Sequence, residues 1–265
     1  MPDNVLRKVW AYFDAVGPLT GSHWPIAYRD DEPTRLARLR LMGVRAFPSL
    51  LYPHKPEMAA WLNDWAAAFA GAHPDVLHTA TFFPESSAPA YVETALAAGA
   101  QVFKAHVQVG GYDPRDPLLA PVWRQLEAAG VPVVVHCGHG PAPGRHTGAE
   151  VFAEVLAAHP ALVAVIAHMG LPDYGDFLAL AQRYPRVHLD TTMAFTPWAE
   201  RSAPFPVALT DSLVALGDRI VLGSDFPNIP YGYWEQLAGL ARLDLGDDWL
   251  RGVLHDNAAR LLALP

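Results

Sequence analysis

Seven times along the chain, a short run of β-branched and apolar residues closes at Gly, Pro or a polar residue. The runs are Val44 to Tyr52, Val76 to Phe83, Val102 to Val109, Val131 to His136, Leu162 to His168, Val187 to Thr192 and Ile220 to Asp225. Between them lie segments with helical periodicity: Met58 to Ala70, Ala90 to Ala98, Leu119 to Ala129, Ala149 to Ala158, Tyr174 to Arg183 and Phe205 to Leu216. Near-continuous apolar strands alternating with amphipathic helices are the pattern of a parallel sheet buried on both faces, whereas antiparallel hairpins would show two-residue turns. The class is therefore α/β. No Gly-rich phosphate-binding motif follows any strand, which removes support for a dinucleotide or P-loop fold. Evenly spaced β/α units over 265 residues instead predict a TIM (β/α)₈-type barrel, a fold of about 250 residues, with one strand unaccounted for.

The shortage sits at the front. Residues 1 to 43 hold helix-like stretches from Val5 to Val16 and from Glu32 to Met42, joined by a loop with His23, and none of it reads as a strand. The chain as written is expected to lack the first barrel strand, with the gap between the run starting at Val44 and the run ending at Asp225. The two exposed edges would invite pairing with another chain, so a homo-oligomer is compatible with the sequence. No Pro- or Ser-rich linker divides the chain, and residues 1 to 265 read as one domain.

Composition narrows the function. Nineteen Lys and Arg against 27 Asp and Glu leave a net charge of −8, which argues against a cationic face for nucleic acid or anionic lipid. No apolar run approaches the ~20 residues that cross a bilayer, and no export signal is visible, so a cytoplasmic protein with a small-molecule substrate is expected. The single cysteine, Cys137, can form neither an intramolecular disulfide nor a cysteine-based zinc knuckle. Any metal must be held by His and carboxylate.

Strand ends are where such a barrel collects its chemistry. His136 closes one run in Val-Val-Val-His, His168 closes the next in Val-Ile-Ala-His, and Asp225 closes the last in Leu-Gly-Ser-Asp. Each follows a buried run, where an unpartnered polar group costs several kcal/mol. A shared divalent cation, zinc foremost, would satisfy all three and leave a water position open. Singly, each also reads as a core His bonded to a carbonyl or an Asp capping a turn. Period-2 alternation puts Lys104, His106 and Gln108 on one face of their run. A buried Lys is either functional or half of an ion pair. His23, Tyr52, His54, Lys55, His139, Arg145 and His146 fall in loops where polar side chains need no special role; Arg145 is the best placed of them to clamp an anion. Cys137 should point to the opposite face from His136 as a packed thiol, and Asp116 and Asp30-Asp31-Glu32 suit helix starts.

With these segments in view, the chain resembles the amidohydrolase superfamily, specifically the amidohydrolase-2 branch of carboxymuconate-semialdehyde decarboxylase-like enzymes. The resemblance rests on Phe103-Lys104-Ala105-His106, Val135-His136-Cys137-Gly138, Ala167-His168-Met169-Gly170, Leu222-Gly223-Ser224-Asp225-Phe226-Pro227 and Asn257 to Leu262. It implies a distorted barrel, a divalent metal on His136 and Asp225, His168 as a ligand or as a donor to water and substrate, and Asp225 as a proton carrier. Such enzymes open with a His-x-His strand, and no His-x-His precedes Val44. The leading expectation is a metal-dependent hydrolase using metal-activated water, with Asp225, His168 and Lys104 catalytic and His106 and Arg145 binding substrate. A non-oxidative decarboxylase of a small carboxylic acid is the alternative, and a barrel with impaired chemistry is the third.

Overall fold

The structure, a computed structural model, describes residues 1–20 and 24–264, the backbone alone over residues 16–20. His23 therefore lies outside the described residues. Among the described residues eight short strands run β1 Phe47–Pro48, β2 Val76–Leu77, β3 Thr79–Thr81, β4 Val102–His106, β5 Val133–His136, β6 Ala164–Ile166, β7 Val187–Asp190 and β8 Ile220–Val221. Strands β3 to β8 form one parallel sheet in sequence order, and β1 pairs in parallel with β2. Each expected helix is present within a few residues of its predicted bounds; Ala149–Ala158 and Tyr174–Arg183 coincide with them.

Several runs are shorter as strands than their apolar content suggests, each for a local reason. Val44 to Tyr52 contributes only Phe47–Pro48, since Pro48 and Pro53 have no N–H for a ladder. Val76 to Phe83 is broken at His78, whose N–H donates to the side chain of Gln101 (3.1 Å). Val102 to Val109 stops at His106, because His106 Nδ1 accepts from Val109 N (3.3 Å) and caps a helical turn over Val107–Gly110. Gln108 thus leaves the strand face shared by Lys104 and His106, which corrects the alternation read from the sequence. Ile220 to Asp225 pairs only over its first two residues; Leu222 N turns to Val253 O (2.9 Å) instead.

The period-2 alternation separates two cores. Phe103, Ala105, Val133, Val135, Ala164, Ile166, Val187 and Leu189 point outward into the large cluster against the helices. Val102, Val134, Val165 and Val221 point inward with Ala167, and Leu50, Ala258, Leu261 and Leu262 pack on them from below. Among the described residues no strand pairs with the outer edge of β1 or of β8, the position where seven runs in an eight-fold ring leave their gap. A cavity of about 2530 Å³ opens there, lined by Phe47 to Tyr52 on one lip and Val221 to Asp225 on the other. Helix α1 (Asp3–Thr20) lies across it. Trp10 Nε1 donates to Asn228 Oδ1 (2.9 Å), and Trp24 Nε1, beyond the helix, donates to Asn228 O (2.8 Å). No described helix is long and apolar enough to cross a membrane.

Candidate active site

Two residues above the inward valines, the same strands carry the polar groups. His106 and His136 are register partners on β4 and β5, and their rings stack with centroids 4.0 Å apart and 12° between planes. His168 meets His136 edge-on at 4.8 Å, and its Nε2 lies 3.6 Å from Asp225 Oδ2. Tyr52 flanks His106 on the other side at 4.5 Å. The sequence-predicted residues Lys104, His106, His136, His168 and Asp225 therefore converge at one end of the sheet and line one cavity. Gln108 lines it as well, from its helical turn. Arg145 is exposed and lies outside that lining.

The backbone at the site is held in unusual conformations. His168 (φ 56°) and Asp225 (φ 52°) both adopt the left-handed region, which non-glycine residues enter at a cost unless the surroundings fix it. Asp190 does that fixing for His168: its Oδ1 accepts from His168 N and from Thr192 N, both at 3.0 Å. Gly223 lets β8 approach this carboxylate, because a Cβ there would fall 2.6 Å from Asp190 Oδ1 and 2.1 Å from Thr192 Oγ1. Asp190 is a positioning residue absent from the sequence reading. In the sequence Asp190 stands inside a run that extends to Thr192, whereas β7 itself closes at Asp190 as β5 closes at His136.

Burial governs the charges. It depresses the pKa of His106 and His136 well below the ordinary imidazole value, and the neighbouring Lys104 and other histidines push the same way. Both rings are neutral, the form that ligates metals. Lys104 is also lowered by burial, with Asp225 and Asp190 partly opposing, and neither carboxylate forms an ion pair with it among the described residues. Because His106 Nδ1 accepts a hydrogen bond, its proton sits on Nε2, a donor available to the cavity. His136 Nε2 and His168 Nδ1 are buried with no hydrogen-bond partner. Cys137 is buried and free, and burial raises its thiol pKa, as a packed thiol on the opposite face requires.

Two imidazoles and a carboxylate suit a divalent ion in donor chemistry, and the orphaned His136 Nε2 is a nitrogen in need of a partner. The fit is one of pairs: among the described residues no three His, Cys, Asp or Glu side chains are drawn together tightly enough to cage an ion.

Parallel strands ringed by helices, with a polar mouth at their C-terminal ends, define a TIM-barrel-type enzyme fold. A family model described as amidohydrolase matches residues 17–264, and the chain belongs to that family. No curated protein sequence matches it. Among solved structures it is similar to an uncharacterised TIM-barrel protein of Bordetella bronchiseptica, with 23% identity, TM-score 0.68, and coverage of 88% of this chain and 83% of that one. A probable 2-pyrone-4,6-dicarboxylic acid hydrolase of Acinetobacter baumannii, with citric acid bound, is 14% identical at TM-score 0.64, covering 92% and 95%. A 5-carboxyvanillate decarboxylase of Novosphingobium aromaticivorans, with manganese bound, is 15% identical at TM-score 0.64, covering 99% and 93%.

Proposed function

We propose that the protein is a metal-dependent hydrolase of a small organic molecule, with His136, His168 and Asp225, neighbours in pairs but not gathered into one cage in this structure, as the residues that would close on a divalent ion, zinc foremost. The observation that carries this reading is the buried, unpartnered His136 Nε2 beside His168, itself 3.6 Å from the Asp225 carboxylate. When bound, such an ion supplies Lewis acidity and lowers the pKa of water toward ~7. The protein's own residues supply the rest. Asp225, half-exposed where the others are buried, accepts the proton of the attacking water. His106 donates through Nε2 to a substrate oxygen. The ammonium form of Lys104, without an ion-pair partner among the described residues, binds an oxyanion or carboxylate of the substrate. A reduced, buried Cys137 suits a cytoplasmic setting.

Decarboxylation is the second reading, favoured by the same Lys104, since a buried cation beside neutral imidazoles can seat a substrate carboxylate. One assay separates the two: metal-loaded protein offered small lactones and amides, 2-pyrone-4,6-dicarboxylate and 5-carboxyvanillate, with acid release and carbon dioxide release followed separately. Hydrolysis without carbon dioxide is expected; carbon dioxide release alone would assign the second reading, and inertness to every compound would contradict both.

A further inference from the structure

One motif of the mouth is not used by that mechanism. In His136-Cys137-Gly138-His139, the second histidine leaves the strand and enters the loop after β5. There His139 Nδ1 lies 2.6 Å from Oδ2 of Asp173, which comes from the loop after β6. The two loops are locked together independently of this pair. Gly140 N donates to Leu171 O (2.7 Å), and Gly138 is packed so close that a Cβ would fall 2.9 Å from the Gly170 carbonyl carbon. A carboxylate only accepts, so the short bond requires the proton on His139 Nδ1. The other ring nitrogen, Nε2, has no hydrogen-bond partner among the described residues, and His139 is part of the cavity lining shared with His136 and His168. About a third of each side chain is exposed, 36% for His139 and 31% for Asp173, so the pair is open to solvent, and His139 alone of the two lines the cavity.

We propose that His139 and Asp173 form a second acid–base dyad of the same site, in which Asp173 fixes the ring and His139 Nε2 carries the proton given to the leaving group. The proposal rests on the hydrolase reading above. In the step it describes, the imidazolium Nε2–H protonates the leaving oxygen or nitrogen as its bond to the carbonyl carbon breaks. The ring, now neutral, keeps Nδ1–H on Asp173. The proton that Asp225 has taken from the attacking water passes to solvent, and solvent restores the one lost from Nε2. Base and acid thus sit on different loops, Asp225 after β8 and His139 after β5, both lining the same cavity. An oriented imidazole with one nitrogen bonded to a carboxylate and the other free is the arrangement general acid–base catalysis requires.

The test uses the full chain with two variants and two readouts. His139→Asn places an amide N–H where Nδ1–H stood, keeping the bond to Asp173 while removing Nε2; Asp173→Asn keeps the shape and removes the carboxylate. Long-range ¹H–¹⁵N spectra of the imidazoles should show neutral His139 protonated on Nδ1 in the wild type and shifted toward Nε2 protonation in Asp173→Asn. With the lactone and amide panel, His139→Asn should lower kcat by about 100-fold, most for poor leaving groups, while KM changes by less than ~3-fold and the melting temperature holds. A wild-type ring protonated on Nε2, or an active wild type whose kcat survives His139→Asn, would overturn the dyad. A wild type inert to the whole panel would instead contradict the hydrolase reading, and the tautomer spectra would still decide whether Asp173 holds His139 as stated.

Discussion

The two ends of the same inward-facing rows lie only two to four residues apart along the chain. Val102 becomes Lys104 and His106 along β4, Val134 becomes His136 along β5, and Val221 leads to Asp225 past β8. The lower end is an apolar plug whose valines meet Leu261 and Leu262. The upper end holds buried polar groups with unpaired nitrogens and left-handed backbone at His168 and Asp225. One rigid parallel ladder carries both, so the plug's packing energy supports an upper layer that is unfavourable alone. Functional groups tolerated at one end should be intolerable at the other.

The largest effect expected from breaking this contrast is Val165→Asp. It buries a carboxylate in the plug, at a position 3% exposed whose one polar register partner is the ordinarily neutral His188, and should cost several kcal/mol of the 5–15 kcal/mol that typically holds a domain together. Urea unfolding should show a collapsed midpoint or no folded baseline, and near-wild-type stability would deny that the plug is dry.

At the mouth the corresponding change acts on chemistry instead. Asp225→Asn should lower turnover by about 10²-fold or more with an unchanged melting curve, and unchanged turnover would remove Asp225 from the mechanism.

Inside the barrel, His188 tests the lower half by pH. Burial, reinforced by Arg219, Arg260 and Arg186 and opposed by Asp218, lowers its pKa to about 4, and its Nδ1 has no partner. The unfolded chain binds this proton near pH 6.5 and the folded one only near pH 4, so the contribution is intact above pH ~6.5 and is lost as pH falls between them. At most about 3 kcal/mol is at stake. His188→Gln should flatten the denaturation midpoint across that window relative to wild type; identical pH profiles would reject the assignment.

Smallest in stability is Lys104→Met. Removing a buried cation that has no ion pair among the described residues should leave the melting temperature unchanged or raise it slightly, while KM for a carboxylate substrate rises. A large loss of stability would show that Lys104 is structural.

Much of this was legible beforehand because it depends on periodicity. The alternation of runs and helices specifies a parallel α/β barrel, and strand-end position picked out His136, His168 and Asp225 as a group. Where strand pairing stops was not legible, since that depends on side-chain captures such as His78 with Gln101 and His106 with Val109. Asp190 lies inside the run Val187 to Thr192 and does not stand out there as a strand end, and its bond to the His168 amide arises from a left-handed turn that no periodicity encodes. The His139–Asp173 pair joins loops 34 residues apart, a distance at which only the fold brings two polar residues together.

The central claim is that the mouth is built to hold a divalent ion through His136, His168 and Asp225. Calorimetric titration of zinc, and separately manganese, into metal-stripped wild type and His136→Gln tests it most directly. Stoichiometric, saturable binding of at least one of the two ions to the wild type and its loss in the variant is the expected result. Equal binding by both proteins, or binding by neither, would contradict the account.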